Sequence, residues 1–265
     1  MNLVHFTRTF LRSATVAAVA LTTAGCATAP STATGQETTF SDSDNDPLEP
    51  VNRAIFEFNE VADKIVLRPA AQVYVNVVPD PIRMAVHSFL QNLLGPFHIA
   101  HNLLQGDFER AQLATGRFLT NTILGAGGLA DVASEAGIPE QQEDFGQTLA
   151  VWGVGDGPYL VLPILGPSNL RDTFGYALDT VADPVAQWAY ATDHEEWLLI
   201  RSGVYTLDRR ASLLREIDDL RRNSIDFYAT MRSLYQQQRR AAILNGRAPA
   251  SDTAPEFPEF PEFPE

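Results

Sequence analysis

The 265-residue chain contains one cysteine, Cys26, which excludes an intramolecular disulfide and any thiolate metal cluster within one chain. Basic residues are also scarce: 19 lysines and arginines face 33 aspartates and glutamates, a net charge of −14. Such a surface repels nucleic acid and gives no general attraction to anionic lipid headgroups. Beyond the amino-terminal segment there is no charge-free apolar run of 18 residues, so no transmembrane helix is expected. The signatures of common chemistries are missing too. No lysine-serine pair follows Gly125, Gly127 and Gly128, no HExxH is present, and Ser168 sits in GPSNL, not in GxSxG. Nothing positive supports hydrolase chemistry.

What the chain does carry begins at its amino terminus. Residues 1–12 hold Arg8 and Arg12 and no acid, and residues 13–24 are small and mostly apolar. That is the charged head and short apolar stretch of an export signal, shorter than the roughly 20 residues of a membrane span. The stretch ends TAGC, where Ala24 and Gly25 resemble the small residues of a bacterial lipobox and Thr23 departs from the usual aliphatic residue. Residues 1–25 are therefore expected to be a lipoprotein signal peptide. Cys26 becomes the first residue of the mature protein, and its covalent lipid tethers the chain to a membrane without spanning it. An ordinary secretory signal that happens to contain a cysteine is the plainer alternative. Ala27 is not the aspartate that resembles an inner-membrane retention signal, so the expected site is the periplasm-facing leaflet of the outer membrane. Residues 26–45 are small and polar and read as a lipidated flexible tether. The folded part is expected over 46–246. Residues 247–265 end in PEFPEFPEFPE and read as a disordered tail, because proline blocks helix and sheet and the glutamates repel one another.

Within the folded part the punctuation is helical. Asp46-Pro47 opens a segment whose apolar residues Val51, Ile55, Phe58, Ala62 and Ile65 recur in steps of four and three, one face of a helix. Asp80-Pro81 repeats the start signal, and the stripe Ile82, Val86, Phe89, Leu90 and Leu93 is expected to stop at Gly95-Pro96, with a separate helix over 96–104. Another begins at Gly106-Asp107 and reaches Leu124. Ser168 reads as the cap of a helix through Val181, Asp193 as the cap of one running toward Leu220, and a last helix covers about Ser224 to Leu244. The stretch 97–124 is apolar on more than one stripe, as in a buried or lipid-touching helix. Leu213, Ile217, Leu220, Ser224, Phe227, Met231 and Leu234 alternate by four and three, read as a helical hairpin packed on its own domain. Only Tyr159 to Leu165 reads as extended. The fold class is all-α: one domain of amphipathic helices with a small hairpin or loop insertion and disordered termini.

Four constellations invite chemistry. In WGVGDGPYLVLPILG (152–166), Gly153, Gly155 and Gly157 run into Pro158 and an apolar stretch instead of a helix start, so a dinucleotide cradle is excluded. The glycines read as backbone freedom around an apolar strand or turn. His98 and His101, three apart on a helix, could share a metal with His87 and Glu109, but no second pair is present and packing or rim histidines are the simpler reading. Glu143, Asp144, Asp156 and Asp172 read as a solvated rim or helix caps, with nothing to fix a pair at working distance. Trp152, Trp188, Tyr190 and Trp197 suit either an interfacial belt or a core.

Five stretches then carry a resemblance: DPLEPVNRAIFEFN (46–59), RPAAQVYVNVVPDPIR (68–83), LLQGDFERA (103–111), RFLTNTILGAGGLADVA (117–133) and DFGQTLAVWGVGDGPYLVLPILGPSNLRD (144–172). Together they resemble the MlaA/VacJ family of outer-membrane lipoproteins over most of the folded part up to about Pro184. The resemblance implies a non-enzymatic function, the removal of mislocalised phospholipid from the outer leaflet. The implied partners are the outer membrane, a trimeric porin, and a soluble periplasmic lipid carrier that feeds an inner-membrane ABC transporter. It implies no cofactor beyond the covalent lipid, with phospholipid as the transported ligand, and a ring of helices around an amphipathic channel with a hairpin-like loop controlling it. Carried onto this chain, Cys26 is the anchor, and Asp46, Pro47, Leu48, Glu49, Asn52, Arg53, Phe58 and Asn59 form the signature helix near the channel. Gly153, Gly155, Gly157, Pro158, Tyr159, Leu162 and Pro163 form the gating loop and its flanks. Gly125, Gly127 and Gly128 relax a turn beside it, and Arg171-Asp172 brace the following helix. The competing readings are a structural or adhesive surface lipoprotein acting through its PEF tail, and a lipid hydrolase.

Overall fold

The computed structural model describes residues 46–245. Cys26, the signal 1–25, the tether 26–45 and the tail 247–265 lie outside the described residues. Helix α1 (Glu49–Ala62) continues through a π-helical turn (Asp63–Leu67) into α2 (Arg68–Val77). Then come α3 (Asp80–Leu104), α4 (Phe108–Ile123), the short α5 (Val132–Glu135) and α6 (Phe145–Val151). A hairpin follows, β1 (Tyr159–Leu162) antiparallel to β2 (Gly166–Asn169), with Tyr159 opposite Asn169 and Leu162 opposite Gly166. The chain ends with α7 (Leu170–Ala182), α8 (Pro184–Ala191), α9 (Glu196–Ser212), α10 (Leu214–Asn223) and α11 (Phe227–Leu244). The all-α class with a hairpin insertion is what forms.

Several boundaries differ from the expectation, each for a physical reason. Gly95-Pro96 does not stop α3, which runs unbroken for 25 residues, so no separate helix covers 96–104. A Cβ at Gly95 would stand 2.6 Å from Phe118 Cδ2, so the glycine lets α4 lie close against α3. That packing outweighs propensity costs of about 1 kcal/mol for Gly and about 3 kcal/mol for Pro. The cap of α7 is Asn169, whose side chain accepts from Asp172 N, while Ser168 belongs to β2. Asp193 caps nothing: it sits at φ +58 in the turn after α8, and α9 begins at Glu196. That helix ends at Ser212, and α10 carries the chain on to Asn223, where the Ser224–Asp226 break separates it from α11. Helices α2, α5, α6 and α8 have no counterpart in the expectation, and neither does strand β2.

Packing leads from α1 through the π turn to α2, then to α9, α3, α6, α11, β2 and β1, and back to α1. The elements thus close into a circuit, as the ring expectation requires. What lies inside and outside is inverted relative to a water-soluble fold. Among the described residues, ten apolar residues are buried, six of them alanine, against seventeen polar or charged ones that include Asn52, Asp63, His101, Asn102, Thr148 and Arg210. Large apolar side chains face outward instead: Val51 and Phe58 along α1, Ile65 in the π turn, Val73 and Val77 on α2, Phe108, Ile123 and Leu124 around α4. No described helix is long and apolar enough to cross a membrane.

Candidate functional site

The hairpin is held between the first helix and the last. Asn52 and Asn59 stand seven residues apart on one face of α1. Asn52 donates to the Tyr159 carbonyl at 3.0 Å and accepts from Val161 N at 2.9 Å. Asn59 repeats the pattern, donating to the Leu162 carbonyl at 2.9 Å and accepting from Ile164 N at 2.7 Å. Seven helical residues rise about 10.5 Å, and three strand residues advance about 10 Å. The two side-chain amides therefore meet β1 in register, as a neighbouring strand would. Ile164 at the hairpin tip has φ +68, a costly conformation for a β-branched residue, and the Asn59 bond to its amide holds it there.

Helix α11 grips from the other side with a Tyr–Arg pair repeated every seven residues. Tyr228 and Arg232 both donate to Asp46, Arg232 at 3.0 Å, and Asp46 also accepts from Asn52 at 2.7 Å. One repeat on, Tyr235 donates to Asp172 at 2.5 Å, and Arg239 spans Asp172 and Asp144, at 2.6 Å from each. The Tyr159 ring lies beside Tyr228 and Tyr235, at 6.2 and 6.1 Å between centroids. Burial and the adjacent carboxylates push the Tyr228 and Tyr235 hydroxyls well above their ordinary value, so both remain donors. Burial alone would raise the Asp144 carboxyl, but Arg239 outweighs it and holds the group below the usual carboxylate range. A Cβ at Gly146 would fall 2.4 Å from Arg239 Nη2, so the glycine admits the guanidinium. Arg53 adds a further link, bonding Glu49 and Asp226 at 2.7 Å each and lying 4.3 Å over the Tyr228 ring.

The signature residues divide accordingly. Asp46, Asn52, Arg53 and Asn59 serve this clasp, Glu49 supports Arg53, and Leu48 and Phe58 are exposed at 43% and 57%. Pro47 is exposed just ahead of the helix. In the glycine run, Gly153 (φ +91) closes α6 and Gly157 (φ +67) abuts Leu170, where a Cβ would stand 2.9 Å from the Leu170 Cβ. Gly155 needs no such conformation, and a Cβ there meets nothing within 4 Å. The run is pinned at its middle: Asp156 accepts from the Arg171 side chain, and its carbonyl from Arg171 N at 3.2 Å. The Pro158 carbonyl accepts from Leu170 N, Tyr159 is buried, and Pro163 is exposed at the tip.

Three expectations need correction. Arg171 and Asp172 lie in the first turn of α7 itself; Arg171 reaches back to Asp156, and Asp172 braces α11. The turn at Gly125, Gly127 and Gly128 bonds to Thr120, Asn121 and Thr122 of α4 and packs on Asn92 of α3, not on the glycine run. The carboxylates divide: Asp144 does cap α6, accepting from Gln147 N at 2.8 Å, but Glu143 is buried against Arg110 at 2.9 Å, and Arg239 brings Asp144 and Asp172 together. His98 bonds the Glu143 backbone, His101 lies between Thr148 and Asp179, and His87 meets Asp208. No metal-holding group forms among the described residues. Trp152, Trp188, Tyr190 and Trp197 are all about half exposed, at 53, 52, 48 and 52%. Sequence reasoning missed Tyr228, Arg232, Tyr235 and Arg239. Their seven-residue repeat was the available signal, one position along from the apolar Phe227, Met231 and Leu234.

Comparison with known proteins places this geometry. The family model described as MlaA lipoprotein matches residues 44–242. The chain is 35% identical over 246 residues to the intermembrane phospholipid transport system lipoprotein of Haemophilus influenzae, covering 91% of this chain and 92% of that one. Its counterpart in Escherichia coli is 39% identical over 207 residues, 76% and 79% of the two chains. A structure solved in work on maintenance of bacterial outer membrane lipid asymmetry superposes with a TM-score of 0.64 at 36% identity, covering 75% of this chain and 98% of the solved one.

Proposed function

Because the chain belongs to the MlaA lipoprotein family, a family of transport lipoproteins and not of enzymes, we propose that it draws mislocalised phospholipid from the outer leaflet of the outer membrane through an amphipathic channel. A soluble periplasmic carrier receives the lipid and feeds an inner-membrane ABC transporter, so that membrane asymmetry is kept. Cys26 carries the lipid anchor in the periplasm-facing leaflet, and a trimeric porin is the neighbour in the membrane. The observation that carries this reading is the inverted burial, with apolar side chains outward and polar, ion-paired ones within. Apolar surface of that extent is costly in water and at ease in hydrocarbon. Tails can then stay in an apolar phase while a headgroup, expensive to strand there, follows polar groups. No bond is made or broken in such a passage, so a catalytic constellation has no place in it.

The hairpin is the proposed gate, since its strained tip is held by the two asparagines of α1 and its root by the glycine run. Deleting the gene should raise outer-leaflet phospholipid and detergent sensitivity, and the intact gene should reverse both. Unchanged asymmetry after deletion would sink the transport reading. Gly155→Pro should fold, because the site is open, and still alter transport. Normal lipid asymmetry in that strain would remove the gate. Cys26→Ala should release the protein from the outer-membrane fraction; undiminished membrane retention would argue against the anchor.

A further inference from the structure

The hairpin and α11 share an apolar cluster, in which buried Tyr159 and Val161 of β1 meet Tyr228, with Tyr235 packed against them. They also share their polar supports. Asp46 ties Tyr228 and Arg232 of α11 to Asn52, which holds the backbone of β1 on both sides of Leu160. Asp172 ties Tyr235 and Arg239 to Asn169, the last residue of β2: Asn169 donates to its carboxylate at 3.0 Å and accepts from its amide at 2.7 Å. Each strand of the hairpin is thus one aspartate away from α11.

Of the 18 residues of α11 only Tyr228 is buried, so polar side chains carry most of its grip. Its ends are capped from within. Asp226 accepts from Ala229 N at 3.1 Å, and Asn245, at φ +52, donates its amide to the Ala241 carbonyl at 3.1 Å. Ahead of it lies the Ser224–Asp226 break, where Ser224 is extended and Ile225 fully exposed, the kind of short connection that absorbs a hinge motion. Arg53 bonds Asp226 at 2.7 Å and pins that end. Helices α1 to α4 and α6 to α9 each expose at least one large apolar side chain, whereas α10 and α11 expose none. A swing of α11 therefore draws no apolar outer face from hydrocarbon, and water can replace the bonds to its guanidiniums. Uncovering the tyrosine cluster is the cost, and it keeps the closed state dominant. We propose that α11 is the latch of the gate: it swings about the Ser224–Asp226 break, and the root of the hairpin opens only when it does. The tip at Ile164, held by Asn59 of α1, stays outside this unit. That the motion serves lipid passage rests on the gate reading; that the two elements open together does not.

The test is amide hydrogen exchange, resolved to single residues, on the purified full-length protein in detergent. A helix of this length is marginal in water once it has left its packing, so release of α11 shows in its amides. The hairpin root, read at Leu160, Val161, Ser168 and Asn169, should share one protection factor with α11, lower than that of α3 and α4. Tyr235→Phe keeps the ring and loses the bond to Asp172. It should lower that shared protection about tenfold, the scale of one hydrogen bond to a charged group, and leave α3 and α4 unchanged. Exchange of the root beneath a protected α11 overturns the proposal, and so does exchange of α11 over a protected root. One protection factor common to the root, α11, α3 and α4 also overturns it, since that is global unfolding. A Tyr235→Phe effect that is absent, confined to one of the two elements, or spread to α3 and α4 does the same. Exchange does not read transport, so failure of the gate reading shows separately, as normal lipid asymmetry in the Gly155→Pro strain.

Discussion

Lys64 is the only lysine of the chain, and the two buried carboxylates of the clasp, Asp46 and Asp172, are held by arginine. The reason is geometric: a planar guanidinium can bridge two carboxylates, whereas an ammonium is a point charge. Arg239→Lys is accordingly expected to lower stability by about 1 kcal/mol, since an ammonium cannot span both carboxylates: Asp172 keeps Arg171 and Tyr235, and Asp144, with its side chain 43% exposed, falls back on water. Chemical denaturation of the variant checks this, and a wild-type midpoint would contradict it. Asn52→Ala should cost more than Asn59→Ala, about 2 kcal/mol against 1. Asn52 serves fully buried Tyr159 and Val161, whereas Asn59 serves the exposed tip. Amide exchange should quicken at Ile164 in the second variant without spreading to Val161. The sequence singles out both asparagines as site residues, but not the direction they face. A side-chain amide completing a strand edge leaves no mark in periodicity, because the partner atoms belong to the backbone.

At the scale of elements, aspartates mark helix starts unevenly: Asp107 caps α4, whereas Asp80 lies in the first turn of α3 without a cap bond and Asp193 caps nothing. Prolines and glycines mark stops poorly, because their meaning depends on what lies opposite. Gly95 is a contact site for Phe118 rather than a break, so Gly95→Val should separate α3 from α4 and cost about 1–3 kcal/mol. A melting temperature unchanged in that variant would show the two helices to be loosely packed. Gly157→Ala should likewise destabilise, through its positive φ and Leu170, while Gly155→Ala should not. The β2 strand stayed hidden because Gly166 and Pro167 lack β propensity; its pairing with β1 and the packing of α11 against it supply what the residues do not. In α11 the apolar stripe drew attention from the Tyr–Arg face beside it, since periodicity of apolar residues reports burial only where the interior is apolar.

For the whole molecule, burial and ion pairing make stability depend on pH in two stages. Burial holds His98 neutral, so its contribution is full above the ordinary histidine value near 6.5 and is lost as pH falls through its lowered one. Asp63 and Asp144, pushed up by burial but drawn lower by Arg210, Arg221 and Arg239, contribute fully above about 4 and drain as pH falls through their depressed values. A thermal melt in detergent should therefore decline gently below pH 6.5 and steeply below 4. A curve flat down to pH 5 would show that His98 is not held neutral. The circuit of helices has a further consequence, in time rather than in space. Its closure joins Asp46, the first described residue, to Tyr228 and Arg232, 182 and 186 positions later. Contacts of such separation are slow to form, because a long loop must be closed before they return anything. The first helix and the hairpin therefore wait, with polar faces unpaired, until nearly the whole chain is present. The last helix to be made sets the moment at which the ring exists.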